Sequence, residues 1–306
     1  VGSPVGTPFA FGTAGSADIP TFTIASAYAG ISHSFALSQT WTVQPSAGVR
    51  QYNSNFYESK SSPHLGLALK SDDLEFYLNS SVGILYPGAE TYTLTRAIPM
   101  AFAANNGWDR LAPTESRHNE VGMRWDAAAS THIDVSIFTD EVSNRYVWSG
   151  FNSGAFAPPA SGTWSNNYPT YRIQGSEVSV RHDINRQWSV FAGVTTLDPS
   201  IANLPYAPKT AYSAGVTGAI GGFHVSLDAQ SQDSMYTLTQ DRGTFTPNLL
   251  PGFTVANARV AYQLPVLGKK GEVFAALNNL ADTSYQYNAG YPMPGRNFRV
   301  GLTASF

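Results

Sequence analysis

The chain has 306 residues, of which 42% are hydrophobic and only 13% are charged, against about 25% charged in an average soluble domain. That is too little charge to cover a soluble surface of this size, while the net charge of −3, with no clustering of Lys and Arg, leaves no basic footprint for nucleic acid. No stretch reaches the roughly 18 to 20 uninterrupted apolar residues of a membrane-spanning helix, so a helical membrane protein is excluded and any crossing must be made by strands.

Taken from the start, Val1-Gly2-Ser3-Pro4 carries no initiator Met, basic segment or apolar segment, as expected of a chain whose signal peptide has been removed. Residues 1–20 read as an N-terminal segment or partial strand, with one possible strand near Val5 to Ala14. Period-two alternation then dominates. Trp41, Val43, Pro45, Ala47 and Val49 face one way, and Thr42, Gln44, Ser46, Gly48 and Arg50 the other. Leu74, Phe76, Leu78, Val82 and Ile84 oppose Glu75, Tyr77, Asn79 and Ser81. The pattern returns at Phe223, Val225, Leu227 and Ala229 against His224, Ser226, Asp228 and Gln230, and again at Phe298, Val300, Leu302, Ala304 and Phe306.

Connection lengths separate a lipid-facing sheet from a half-buried soluble one. Very short turns are expected at 71–73, 127–130, 183–186 and 220–222, and long connections rich in Pro, Gly, Asn and aromatics at 87–116, 149–170 and 236–251. Strict alternation of short and long is the asymmetry of outer-membrane barrels, with tight periplasmic turns and extended external loops. About 13 segments have the roughly 10-residue length of a tilted crossing, and a fourteenth would allow closure with an even number. The 16 Tyr, 17 Phe and 6 Trp suit aromatic girdles at the two membrane interfaces. The absence of Cys fits an oxidising compartment.

From about Ser62 the chain carries a series of short motifs in a fixed order. Ser62-Pro63-His64-Leu65-Gly66-Leu67 opens a strand, and Tyr86-Pro87-Gly88 leads into a long connection. Leu111, Pro113, Ser116, Glu120 and Gly122 form an L-x-P-x-x-S-x-x-x-E-x-G segment. Gly175, Glu177 and Ser179 mark a further strand, and Leu204-Pro205-Tyr206-Ala207-Pro208-Lys209 a proline-flanked entry to the next. Asn279-Leu280-Ala281-Asp282 with Tyr285, then Gly290 to Arg296, precede a last strand closing on Phe306. In order and spacing these segments resemble the carboxy-terminal barrel of a TonB-dependent outer-membrane receptor, with Thr114 and Asn119 departing from that family's pattern; the end carries most, and the resemblance makes Phe306 the assembly signal.

The resemblance implies an all-β fold, a transmembrane antiparallel β-barrel with about 13 to 14 strands in this chain, part of a receptor-type barrel of roughly 22. Residues 21–306 would be barrel, without a plug domain, since residues 1–20 are too few and too rich in Gly and Ser to fold as one. The implied role is TonB-coupled uptake of a scarce ligand such as a ferric siderophore. Two other roles are open: a receptor-derived, non-transporting structural subunit, or a plugless passive pore. Implied partners are outer-membrane lipid and lipopolysaccharide, a plug domain or second chain that completes the barrel, and TonB only through such a plug.

Chemistry-bearing residues add little beyond that. His132, His224 and Asp228 share the polar face, but Ser and Thr occur on every strand there, so a triad can be drawn almost anywhere and no catalytic residue is assigned. The six His form no spaced cluster, and no metal or cofactor is expected. Glu75, Glu120, Arg124, Glu177, Arg181 and Arg299 are candidates to face a lumen or plug, with mutual pairing as the plainer alternative. Trp108, Tyr146, Trp148, Phe151, Phe156, Trp164 and Tyr168, in or beside the two longest loops, are candidates for ligand recognition or for the girdle.

Overall fold

Branched and aromatic side chains at every second position favour extended backbone, and a strand whose two faces differ in polarity tolerates only one register. The computed structural model describes residues 21–88, 91, 108–149, 163–166, 168–241, 244–264, 266 and 271–304. The first strands are β1 (Ile24–Ser32), β2 (Phe35–Ala36), β3 (Thr42–Ser54), β4 (Lys60–Lys70) and β5 (Leu74–Leu85). A short 3-10 turn, Trp108–Arg110, precedes β6 (Thr114–Ala128), β7 (Thr131–Ser143), β8 (Val147–Ser149), β9 (Thr163–Ser165) and β10 (Tyr171–Asp183). Then come β11 (Trp188–Pro199), β12 (Thr210–Ile220), β13 (Phe223–Gln232), β14 (Met235–Asp241) and β15 (Thr244–Leu250). The last are β16 (Phe253–Gln263), β17 (Glu272–Asn278), β18 (Gln286–Asn288), β19 (Tyr291–Pro292) and β20 (Asn297–Thr303).

Thirteen strands pair in the order β1-β3-β4-β5-β6-β7-β10-β11-β12-β13-β16-β17-β20, each beside its neighbour in sequence. All these pairings are antiparallel, and β2 extends the line of β1 along β3, with Phe35 opposite Val43. The thirteen crossings expected from alternation are therefore present, and the possible strand at Val5 to Ala14 lies outside the described residues.

The two ends of the sheet differ in their connections. At one end the turns span 71–73, 129–130, 184–187 and 221–222. Gly221 and Gly222 have φ of 55° and 85°, the left-handed pair that a two-residue hairpin needs to match strand twist, and Ile220 pairs directly with Phe223 across it. Asn185 closes another turn, its Oδ1 accepting the N–H groups of Gln187 (2.8 Å) and Trp188 (3.0 Å).

At the other end, one expectation needs correction. The connection 55–59 between β3 and β4 is short, because Ser54 Oγ accepts from Phe56 N (3.1 Å) and Tyr57 N (3.0 Å) and folds the chain back at once. Alternation of short and long is thus broken there. The expected long connection around 236–251 is present between β13 and β16, and β14 and β15 form a hairpin within it with Met235 opposite Leu250, while β8 pairs with β9 between β7 and β10.

The sheet has one apolar and one polar face. Phe298, Val300 and Leu302 on β20 are 78, 73 and 62% exposed, and Leu65, Leu78 and Ile137 are more than half exposed. Water around so many large side chains would be costly, whereas lipid accepts them. On the polar face, rings lie over glycines of the neighbouring strand. Tyr77 faces Gly122, Phe138 faces Gly175, Phe191 faces Gly215 and Phe274 faces Gly301 as direct cross-strand partners. A Cβ at any of these four glycines would meet the ring at 2.4 to 2.5 Å, so only glycine permits the approach.

Among the described residues β1 and β20 each pair on one side only. Both run from the long-connection end toward the short-turn end, because β1 is antiparallel to β3 and twelve antiparallel steps lead from β1 to β20. Antiparallel closure therefore requires an odd number of further strands.

Candidate ligand-binding site

The polar face carries a cavity of about 460 Å³ that touches strands from β5 to β16. Its charged lining is Glu120, Arg124, Asp134 and Glu177, with Tyr77 beside them. Cross-strand register brings the charges together. Arg124 lies opposite both Glu75 and Asp134, and its guanidinium donates to Glu75 at 2.7 Å and approaches Asp134 at 3.5 Å. Lys70 completes the Glu75 pairing at 3.2 Å. The Arg124 guanidinium also sits over the Tyr77 ring, 4.5 Å from its centroid, while the Tyr77 hydroxyl donates to Glu120 at 3.1 Å. His118 bridges Asp140 (2.9 Å) and Glu120 (3.7 Å) one row nearer the long connections.

A second cavity, about 660 Å³, opens on the same face at the long-connection end and is bordered by Arg145, Tyr146 and Tyr171. Arg145 has its guanidinium 5.1 Å from the Tyr168 ring centroid and 5.9 Å from that of Tyr171, and donates to the Tyr171 hydroxyl at 3.2 Å. Tyr168 and Tyr171 meet edge to face with centroids 5.7 Å apart. A cation stacked on rings and lacking a carboxylate partner among the described residues keeps donors for an anionic ligand.

The loops holding this mouth are tied by amide side chains. Asn166 Nδ2 donates to Ala112 O (3.0 Å), its Oδ1 accepts from Ala112 N (2.8 Å), and Nδ2 also bonds Asn144 O. Tyr57, Tyr86 and Leu111 form a small buried cluster against which Tyr52, Ile84 and Tyr146 pack. Burial lifts the Tyr86 phenol above the usual tyrosine range.

Across the polar face, Phe253 of β16 forms the cavity wall under Tyr285 and Tyr287, with ring centroids 4.6 and 5.3 Å away. Gln230 Nε2 donates to the Tyr287 hydroxyl at 2.6 Å. Burial first, and then the neighbouring Tyr287, raise the Tyr285 phenol above its ordinary pKa. The segment Asn279-Leu280-Ala281-Asp282 holds these rings in place. Asn279, 2% exposed with φ 54°, donates Nδ2 to Thr283 O (2.8 Å) and Pro294 O (3.2 Å) and accepts Thr283 N at Oδ1 (2.8 Å). Asp282 Oδ1 accepts from Arg296 N at 2.7 Å.

Of the residues singled out in the sequence, Glu120, Arg124 and Glu177 line the larger polar cavity and Glu75 adjoins it through Arg124. Arg181 approaches Asp183 at 3.6 Å, and Arg299 is exposed on the polar side of β20. Tyr146 and Tyr168 meet at the mouth around Arg145. Trp148 and Trp164 are opposite one another on β8 and β9, and Trp108 opens the 3-10 turn, but their side chains lie outside the described residues, as do Phe151, Phe156 and Phe306 entirely. Arg145 and Tyr171 were missed; an Arg immediately before Tyr146 was the signal available. No group of three or more metal-ligating side chains occurs among the described residues.

A family model for the TonB dependent receptor-like beta-barrel matches residues 3–280. The chain belongs to this family. Receptors of this kind are outer-membrane transport proteins and not enzymes, which places the chain in the outer membrane of a Gram-negative cell. Among curated proteins it is similar to the catecholate siderophore receptor Fiu of Escherichia coli (strain K12), 24% identical over 224 residues that cover 68% of this chain and 27% of the relative. Its fold is shared with the copper transporter OprC (TM-score 0.71, 16% identity, 93% of this chain and 50% of that one). It is shared likewise with the siderophore receptor PirA from Acinetobacter baumannii (TM-score 0.69, 16% identity, 93% and 46%). The receptor barrel chain thus spans about a quarter of the length of its curated relatives, at 27%, and half or less of these solved structures, at 46 and 50%.

Proposed function

We propose that this chain forms the larger part of the wall of a TonB-coupled receptor barrel that takes up a scarce, bulky, anionic chelate such as a ferric siderophore. The observation that carries the reading is Arg145, stacked on Tyr168 and Tyr171 at the mouth of a 660 Å³ cavity on the polar face. Aromatic rings offer contact area at low entropic cost, and the guanidinium offers charge-assisted donors to phenolate or carboxylate oxygens. Membership of the receptor family and the siderophore named for Fiu point the same way. Residues 21–306 serve as barrel, and energy coupling runs through a plug carried elsewhere.

Strand direction supports completion by further strands. With β1 and β20 parallel, one additional strand would give a closed fourteen, and nine would give the roughly 22 of a plugged receptor barrel. Charged side chains of the polar face, including the exposed Glu177, which has no ionic partner among the described residues, then face a plug. The test is a titration of the purified receptor with ferric catecholate and ferric hydroxamate chelates, followed by quenching of tryptophan fluorescence. Binding of one class, weakened at least tenfold by Arg145→Ala, is expected. Failure of every anionic chelate to bind the folded protein overturns the proposal.

A further inference from the structure

A second stacked cation on the polar face lacks a carboxylate partner among the described residues. Arg50, on β3, has its guanidinium 5.7 Å from the ring centroid of Tyr28 on β1 and 6.0 Å from that of Tyr52, and donates to Ser26 Oγ at 3.4 Å. His64 of β4 stacks on Tyr28 with centroids 5.7 Å apart and planes at 12°. An added Cβ at Gly48 would come within 2.9 Å of the Tyr28 hydroxyl and closer still to the His64 ring, so glycine there lets both rings lie against the wall.

Ordinary ion pairing does not account for Arg50. Arg124 and Arg259 also stack on rings, but each is bound to a carboxylate, Glu75 and Glu272 respectively. Glu58 and Glu115 are both held by Lys60, at 2.9 Å each, and Asp140 by His118 at 2.9 Å, so none of these three compensates Arg50. Exposed and set between two phenol rings, the Arg50 guanidinium keeps most of its donors, as Arg145 does between Tyr168 and Tyr171.

Register puts these two cations at one level of the wall. Arg50 is opposite Ser62, Gly83 is opposite Ser116, Ser116 is opposite Val142 and Val142 is opposite Tyr171. The β4–β5 ladder, which pairs His64 with Ser81, carries the row from Ser62 to Gly83. Arg50 therefore stands level with Tyr171, five strand spacings or roughly 24 Å away along the wall. Gly83 and Ser116 already border the 660 Å³ cavity, whose edge is thus two spacings, roughly 10 Å, from Arg50. An added Cβ at Gly83 would meet nothing closer than 3.8 Å, which leaves open space above this row.

We infer that Arg50, with Tyr28 and Tyr52, is a second subsite for the anionic chelate, joined to the one at Arg145 by the low floor of Ser62, Gly83 and Ser116. The inference rests on the chelate-binding function proposed above. Arg50 leans toward β1 and Arg145 toward the rings of Tyr168 and Tyr171, so one compact chelate does not touch both and each cation holds its own. Arg145 borders a cavity whereas Arg50 is exposed, so the subsite at Arg50 is the weaker. A second bound chelate is then at hand when the first has been passed on.

The test is equilibrium dialysis of the purified receptor in detergent against a triply negative tris-catecholate chelate of radioactive iron, which counts chelates per protein. Two are expected, one tight and one weaker. Arg50→Ala should lose the weaker one and keep the tight one, and Arg145→Ala should do the reverse. Arg50→Lys, which keeps the charge but loses the planar fork, should hold the weaker chelate at least tenfold less well. Arg186→Ala, in a turn at the other end, should leave two. Heat-modifiable migration on gels verifies that each variant is folded. One chelate on the unaltered protein, or two on folded Arg50→Ala, overturns the inference and leaves the chelate function standing; no bound chelate at all overturns both.

Discussion

Replacing Gly175 with Ala places a methyl group where two neighbours already stand. An added Cβ would lie 2.4 Å from Phe138 Cζ and 2.8 Å from the Thr196 carbonyl oxygen. The ring can rotate away only by leaving its seat, and the carbonyl belongs to the β10–β11 ladder and cannot move without breaking hydrogen bonds. Overpacking of this kind costs about 1–3 kcal/mol, partly offset by the 0.4–1 kcal/mol gained from restricting the unfolded chain. Gly175→Ala should therefore destabilise the barrel by about 1–2 kcal/mol. Gly83, on the same face, is the control: its added Cβ would find nothing closer than Ser116 O at 3.8 Å. Gly83→Ala should be neutral or stabilising by about 0.4–1 kcal/mol. Combining Gly175→Ala with Phe138→Ala should show a coupling of more than about 0.5 kcal/mol relative to the two single variants, yet not full relief, since the carbonyl contact remains. Urea unfolding in lipid vesicles, followed by tryptophan fluorescence, measures all four. Equal stability of Gly175→Ala and Gly83→Ala would refute the packing argument.

Three further outcomes follow from the loops and charges. Asn279→Ala removes three hydrogen bonds from a buried side chain at positive φ, which should cost about 2–4 kcal/mol and open 279–296 to limited proteolysis while the strands stay intact. Arg124→Ala, breaking a partly exposed network with Glu75 and Asp134, should cost under about 1 kcal/mol, and the loss should shrink in high salt; an effect independent of salt would argue against an ionic origin. For Tyr285, whose folded pKa is raised, packing against Phe253 is fully stabilising below the ordinary tyrosine pKa and is lost as pH rises through the elevated value. Alkaline titration by ultraviolet difference absorbance should show a late-ionising tyrosine that Tyr285→Phe abolishes.

Crossings were legible because lipid imposes a two-residue period that nothing else in the chain interrupts, as on β13 and β20, and because Gly221-Gly222 leaves only one tight turn available. What could not be read was partnership across strands. Arg124 is 49 residues from Glu75, and Gly175 is 37 from Phe138; both contacts depend on register, which sequence periodicity does not supply. The β14–β15 hairpin was hidden by Pro247 and Asn248, residues common in loops but tolerated on a short strand pair. The mouth was half visible: Tyr146 and Tyr168 were marked by aromatic type, but Arg145 acquires its meaning only from the rings that meet it in space.

The role of the whole is tested most directly by uptake of a radiolabelled iron chelate in cells with and without the protein, across a concentration series and with the membrane potential intact or collapsed. The account predicts uptake that saturates at low concentration, depends on the protein and disappears when the potential is collapsed. Protein-dependent uptake that rises linearly with concentration and ignores the potential would identify a passive pore and contradict it.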